Sequence, residues 1–253
     1  MKVESIKKTG SKYKIVLDNG QVINTYEEVI LNNGLLFHKY INKNLLEKIT
    51  VDTNYYKSYN KALDMINRRL RSEKEIEQYL IKAEVEEKDI KEIIQNLKRI
   101  GLIDDKLFAK AYTNDKINLS TDGPHKIRKY LENNNIKEQY INKAINSIDK
   151  EIINQRIDKL ITKKINSNTK YTPYMLKQKI IIYLTNLGYS REDIINRLEN
   201  IKIETKDTTK EMEKIYNKLS KKYNDKELIY KLKNKLYSKG YTKEEIENYI
   251  IKK

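Results

Sequence analysis

SEKEIEQYLIKAEVEEKDIKEIIQNL, residues 72–97, is the stretch whose reading decides the fold. Ile76 and Leu80, then Ile90, Ile94 and Leu97, fall at helical spacing on either side of a short polar break. The stretch therefore predicts two amphipathic helices joined by a turn. Counting from Leu80, the pattern returns at Leu131, Leu184 and Leu236, after intervals of 51, 53 and 52 residues. Four positions before each leucine stand Ile76, Ile127, Ile180 and Leu232. Five positions after stand Val85, Ile136, Tyr189 and Tyr241. Ten after stand Ile90, Ile141, Ile194 and Ile246, and four later Ile94, Ile145, Leu198 and Ile250. Five apolar columns in step through four copies make a tandem repeat.

The turn inside each copy carries its own signals. Gly188 and Gly240 fit a left-handed residue after a helix end. Copy two has Asn133, Asn134 and Asn135 there, the next best choice, and copy one has Lys82, Ala83 and Glu84. Second helices open on Ser190 with Asp193 and on Thr242 with Glu245, both like capping boxes. First helices open on Ser72 with Glu75, on Asp122 before Gly123 and Pro124, on Thr172 and Pro173, and on Asn224 with Glu227. Pro124 and Pro173 are the chain's two prolines, both at first-turn positions where a missing N–H is harmless.

Each pair has a leading helix. Residues 55–71 supply Ala62, Leu63, Ile66 and Leu70 for copy one, and Leu107, Phe108, Ala111 and Ile117 share a face ahead of copy two. Residues 152–165 and 212–223 lead the last two copies, with polar linkers expected at 166–170 and 202–210. The chain opens differently. Val3 and Ile6, then Tyr13, Ile15 and Leu17, then Val22, alternate in short runs, with a hairpin signal at Asp18, Asn19 and Gly20. Thr25 with Glu28 looks like the cap of a short helix ending at Gly34, and residues 42–49 suggest another. The expected fold is mainly α, a tandem array of four three-helix repeats after a small β-containing segment. The expected divisions are 1–54, 55–103, 104–148, 149–203 and 204–253.

Composition fits several small cores better than one large one: of 253 residues 38% are hydrophobic and 35% charged. Cysteine is absent, which excludes disulfides and thiolate chemistry and suits a reducing cytoplasm. No apolar run reaches membrane-span length, and the N-terminus lacks a signal-peptide core. Tyrosine is abundant together with Ile, Lys and Asn, a mix that codon bias in an AT-rich genome also produces.

Enzymatic signals are poor. Two histidines, His38 and His125, and no cysteine argue against a metal site, and no cofactor motif, P-loop or nucleophile elbow is present. Asp104 and Asp105 are the best carboxylate pair, but paired acids are expected at a helix start. Tyr55, Tyr56 and Tyr59 suit either base stacking or packing of the leading helix. The net charge is +16, distributed as +2, +2, +2, +5 and +5 over the five segments. The compact basic groups are Arg68, Arg69 and Arg71; Lys98 and Arg99; Arg128 and Lys129; Lys163 and Lys164; Lys221 and Lys222; and Lys231, Lys233 and Lys235. All but Lys221 and Lys222 are taken as candidate contacts to a protein partner or to DNA. A basic surface attracts phosphate or a nucleoprotein filament in a salt-dependent way, although lysines also simply solubilise helix faces.

Three motifs carry a resemblance. Arg69, Arg71, Ser72 and Glu75 resemble the "R-x-R-S-x-x-E" opening of the first repeat of the RecX family. Leu97, Gly101, Leu102, Ile103, Asp104 and Asp105, with Phe108 and Ala109, are similar to its "L-x-x-x-G-(L/Y)-(I/L)-(D/N)-D-x-x-(F/Y)-A". Gly123 and Pro124 with Ile127 and Leu131 look like its "K-G-x-x-x-I-x-x-x-L-x-x-x-G". Asp122 replaces the basic residue before Gly123, and the asparagine run replaces the glycine before Ile136. The motif-bearing part spans residues 60–148. The resemblance implies a non-enzymatic bacterial regulator that binds the RecA recombinase filament, lies along its groove, and restrains ATP hydrolysis and strand exchange. Its expected setting is the cytoplasm, as a monomer with weak, salt-dependent affinity for single- or double-stranded DNA. A sequence-tolerant DNA-binding repeat protein, or a helical adaptor unrelated to DNA, also fits the residues.

Overall fold

The computed structural model describes residues 1–168, 171–201, 203 and 209–253. Residues 169 and 170 of the first expected linker, and most of the second, lie outside the described residues. Two compact units are distinguished, one of residues 1–111 and 134–137, the other of residues 112–133 and 138–253.

The first unit begins with strands β1 (Val3–Thr9), β2 (Lys12–Leu17) and β3 (Val22–Tyr26), an antiparallel sheet in the order β1-β2-β3. Ile15 pairs with Ile6 and Ile23, and a bulge lies between Val3 and Ser5. Gly20, at φ +81°, turns the expected hairpin. Helix α1 (Glu27–Asn32) follows directly on the sheet, and a 3-10 turn spans Leu35–Phe37. The expected cap at Thr25 does not form. Thr25 lies inside β3, which runs on to Tyr26, is fully buried, and its hydroxyl pairs with that of Thr53 at 2.6 Å. Ile15, Leu17, Val29, Ile30, Leu35, Ile41 and Ile49 make the core of this part.

A second difference concerns the helix that follows. Two helices were expected around residues 42–49 and 55–71, but α2 runs unbroken from Lys43 to Arg68. Val51 and Thr53 are only weak helix formers, and neither glycine nor proline interrupts the segment. The expected division at position 54 thus falls inside a helix. Tyr55 and Tyr59 pack on the core below, and Tyr56 on the sheet's core, which favours the packing reading of these tyrosines. Asn96 donates to the Tyr55 hydroxyl at 2.9 Å, and Asn32 to that of Tyr56 at 3.0 Å.

Helices α3 (Glu73–Lys82) and α4 (Glu87–Arg99) complete the first trio around Ala62, Ile76, Leu80, Ile90, Ile93 and Leu97. Helices α5 (Asp105–Leu119), α6 (Pro124–Asn133) and α7 (Glu138–Asn146) form the second trio. The third is α8 (Lys150–Asn166), α9 (Pro173–Asn186) and α10 (Arg191–Glu199). The fourth is α11 (Thr209–Leu219), α12 (Asp225–Ser238) and α13 (Lys243–Ile251). The leucine column Leu80, Leu131, Leu184 and Leu236 is wholly buried in all four. The last column is not uniform: Ile145 and Ile250 are half-buried, and Ala144 and Tyr249, one residue earlier, take the inward place. Leu107, expected on the buried face of α5, is exposed, while Phe108 and Ile117 are buried.

The caps follow the residue types with two exceptions. Ser72 and Thr242 make full capping boxes with Glu75 and Glu245, while Ser190 and Thr172 accept from Asp193 N and Met175 N. Thr25 and Asn224 are the exceptions, Asn224 making no side-chain cap bond.

Four residues past each leucine of the column stand Glu84, Asn135, Gly188 and Gly240, and all four are left-handed, with φ of +57°, +56°, +90° and +80°. Glu84 holds this conformation against a side-chain penalty of about 1–2 kcal/mol that glycine avoids. Glycine's larger unfolded-state entropy offsets part of the gain. Glu84→Gly is therefore expected to stabilise the first unit by about 0.5–1 kcal/mol. A thermal melt of the full chain checks this, and a lower midpoint would mean that the Glu84 side chain makes contacts that outweigh its strain.

Candidate partner-binding surface

The corner where α2 ends and α3 begins gathers most of the first basic group. Glu75 sits in the first turn of α3, where its carboxylate accepts from Ser72 N at 3.3 Å. Arg69 grips the same carboxylate with two N–H groups, at 3.1 and 2.6 Å, and Arg71 lies 3.9 Å away while donating to the Met65 carbonyl. Paired guanidinium–carboxylate geometry of this kind fixes orientation as well as charge. Arg69 and Arg71 are thereby committed to the fold's own corner. Arg68, at the last position of α2, is exposed and has no side-chain partner among the described residues.

Lys98 is drawn to the same helix start, binding Glu73 at 2.6 Å, whereas Arg99 is exposed beside Tyr59. Asp104 and Asp105 are also explained by helix starts. Asp104 accepts from Lys106 N and Leu107 N, capping α5, and Asp105 accepts from Glu73 N at 3.1 Å, capping α3. Burial lifts the Asp105 carboxyl above its ordinary value, against the pull of the Glu73 N–H. Gly101, at φ +75°, lets Leu102 N return to the Leu97 carbonyl at 2.9 Å, closing α4.

In the second unit Arg128 is half-buried, donating to Asn142 at 2.5 Å and lying 3.8 Å from Glu132. Lys164 covers the Tyr183 ring at 4.0 Å, and Lys231 lies 5.8 Å from the Tyr223 ring centre. Lys129, Lys163 and Lys235 are exposed and Lys233 half-exposed, none with a side-chain partner among the described residues. Among the described residues no group of His, Asp and Glu is arranged to hold a metal ion, and no helix is long and apolar enough to cross a membrane.

The charge pattern gave no hint of the joints between successive repeats. Inside the first unit, the Ser72 hydroxyl at the start of α3 bonds Asn134 at 2.9 Å and Lys74 bonds Asn135 at 3.2 Å, on the turn that follows α6. Inside the second unit, the start of α6 meets the turn after α9. Gly123 N donates to the Leu187 carbonyl at 2.7 Å and His125 N to the Gly188 carbonyl at 2.9 Å. The start of α9 meets the turn after α12 in the same way, the Thr172 hydroxyl donating to the Lys239 carbonyl at 2.9 Å. At each joint, the start of one repeat's middle helix seats on the left-handed turn of the next repeat.

Arg156 of α8 ties the middle joint together. Its guanidinium donates to the carbonyls of Ile117, Ser120 (2.8 Å) and Asp122 (3.1 Å), and its Nε to the Tyr189 hydroxyl at 3.1 Å. Burial pushes the Tyr189 phenol up, opposed by that neighbouring cation.

The three motifs are thus accounted for as core, joint and cap residues, and comparison with known proteins gives them a family. The first three-helix domain of RecX matches residues 59–97. The regulatory protein RecX of Listeria monocytogenes serotype 4b (strain CLIP80459) is 32% identical over 195 residues, covering 76% of this chain and 72% of that protein. The chain belongs to the RecX family. The RecX protein of Bacillus cytotoxicus is 31% identical over 211 residues, covering 82% and 78%. A crystal structure of regulatory protein RecX has the same fold, with a TM-score of 0.61 at 24% identity, covering 77% of this chain and 98% of that one. RecX from Lactobacillus salivarius gives 0.50 at 30% identity, covering 58% and 97%. RecX membership makes the chain a regulator of the RecA recombinase and not an enzyme.

Proposed function

We propose that this RecX protein binds the RecA filament through a series of small helical units, restrains its ATP hydrolysis and strand exchange, and is helped onto the filament by weak DNA affinity. The single observation that carries the reading is the identity of about a third with RecX proteins over most of the chain. The proposed setting is the cytoplasm, with the protein acting as a monomer. What supports the DNA component is the net charge of +16, weighted toward the last two repeats.

The geometry sharpens which cations to test. Arg69 and Arg71 hold Glu75, so reversing them would disturb a helix start before it disturbed a partner. Arg68, Lys129, Lys163, Lys233 and Lys235 carry charge with no internal side-chain partner among the described residues, and together with Arg99, exposed beside Tyr59, they are the proposed contacts. The test is a salt-titrated gel shift on single- and double-stranded DNA, with and without the cognate RecA. Supershift of RecA–DNA complexes at salt concentrations where DNA alone is no longer bound is expected. Arg68→Glu with Arg99→Glu is expected to raise the protein needed for that supershift several-fold at unchanged melting. Retention of DNA with no response to RecA would favour the plain DNA-binding reading instead.

A further inference from the structure

The chain has two phenylalanines, and the fold treats them oppositely: Phe108 is 2% exposed and Phe37 is 91% exposed. Phe37 is not alone on the surface. Leu31 at the end of α1, Leu36 beside Phe37 in the 3-10 turn, and Tyr40 after it are all exposed, while their chain neighbours Leu35 and Ile41 are buried in the N-terminal core.

This backbone is held in place. Asn33 is buried, and its side-chain amide donates to the Val29 carbonyl at 3.0 Å and to Asp52 of α2 at 2.8 Å. Val3 N donates to the Lys39 carbonyl at 3.0 Å, and Ile41 N to that of Met1 at 2.8 Å. The outward apolar side chains therefore stand on a fixed platform, and burying Leu35 and Ile41 does not require its neighbours to be apolar. Nothing in the folding of this module calls for an exposed Leu-Phe pair.

Charge says what fits there. Residues 31–46 contain Lys39 and Lys43 with His38, and neither aspartate nor glutamate. Asp52, packed against this segment, is already engaged by Asn33. An exposed apolar cluster marks an interaction site, and a cationic border selects a partner of opposite sign. Two lysines are too few for a lipid surface, where stable anchoring needs a larger apolar insertion or a polybasic patch. We propose that Leu31, Leu36, Phe37 and Tyr40, bordered by Lys39 and Lys43, form a docking surface for an acidic protein segment that carries apolar anchor side chains.

The probe is a short fluorescein-labelled peptide of alternating aspartate with leucine and phenylalanine, titrated into the full chain and followed by anisotropy. Controls are the same peptide with glutamine for aspartate, the same with serine for leucine and phenylalanine, and anionic phosphatidylserine vesicles. Binding of the acidic apolar peptide, weakening with salt and absent from both control peptides, is the expected result. Leu36→Ser with Phe37→Ser should lower affinity about tenfold or more, as loss of a central anchor does. Lys39→Glu with Lys43→Glu should lower it several-fold, and both double variants should melt as the wild type does. Equal peptide binding by the two variants overturns the proposal. So does binding of vesicles without binding of the peptide, or binding of neither.

Discussion

Gly188→Ala should destabilise the second unit by about 2–5 kcal/mol, out of proportion to one methyl group. Two separate terms add. The residue sits at φ +90°, where a Cβ costs about 1–2 kcal/mol. That Cβ would also lie 2.4 Å from Lys126 N and 2.6 Å from its Cβ, and crowding a packed site costs about a further 1–3 kcal/mol. Gly123 faces the same joint from the other side, its added Cβ falling 2.5 Å from the Gly188 carbonyl. Gly10→Ala provides the control, since Gly10 is also left-handed, at φ +62°, but has nothing within 4 Å of the added atom. It should lose only the conformational term. Thermal melts of the two variants read the difference; equal losses would mean that the close approach of the repeats does not contribute to stability.

The other large effect is expected at the repeat's most regular column. Leu131→Ala should cost about 2–5 kcal/mol, the usual range for emptying a leucine-sized space in a packed core. Leu131 is fully buried in α6, one turn from buried Ile127. The spread depends on how far neighbouring side chains collapse into the space. Leu119, 84% exposed near the end of α5, supplies the comparison, and Leu119→Ala should melt within a degree or two of wild type. Parity between the two variants would place Leu131 at the surface and the helical phase of the second repeat in error.

The repeat, its helices and its buried columns were legible because they are local: a 3.6-residue period with a capping serine or threonine is written within a few turns of chain. Ser72 with Glu75 and Thr242 with Glu245 show this, as does the left-handed position at Gly188 and Gly240. Local signals failed where a distant residue took over. Thr25 has the sequence of a helix cap, but Thr53, 28 residues away, takes its hydroxyl. Residues 49–55 contain β-branched side chains that weaken a helix without stopping one, so a single long α2 was hidden as two.

The binding candidates suffered from the same limit. Basic clusters are visible as composition, whereas which cation is already engaged depends on partners such as Glu75 and Glu73 across a corner. Arg156 drew no attention as a lone arginine on α8, although it donates to carbonyls 34 to 39 residues earlier in the chain. Asp122 and Asn135 depart from the motif's usual residues, yet both stand at joints, where the Asp122 carbonyl and the Asn135 side chain serve as acceptors. Motif residues of this chain divide between the buried columns, such as Leu97, Phe108, Ile127 and Leu131, and the joints and caps of the array, and the proposed partner contacts lie outside both.

The most direct test of the account is DNA-dependent ATP hydrolysis by the cognate RecA, measured while this protein is titrated in at several salt concentrations. One chain of several helical units spanning neighbouring filament subunits should suppress hydrolysis well below one molecule per RecA. Arg68→Glu with Arg99→Glu should shift that titration several-fold toward higher protein. Undiminished hydrolysis at equimolar wild-type protein, at every salt concentration, would contradict the account.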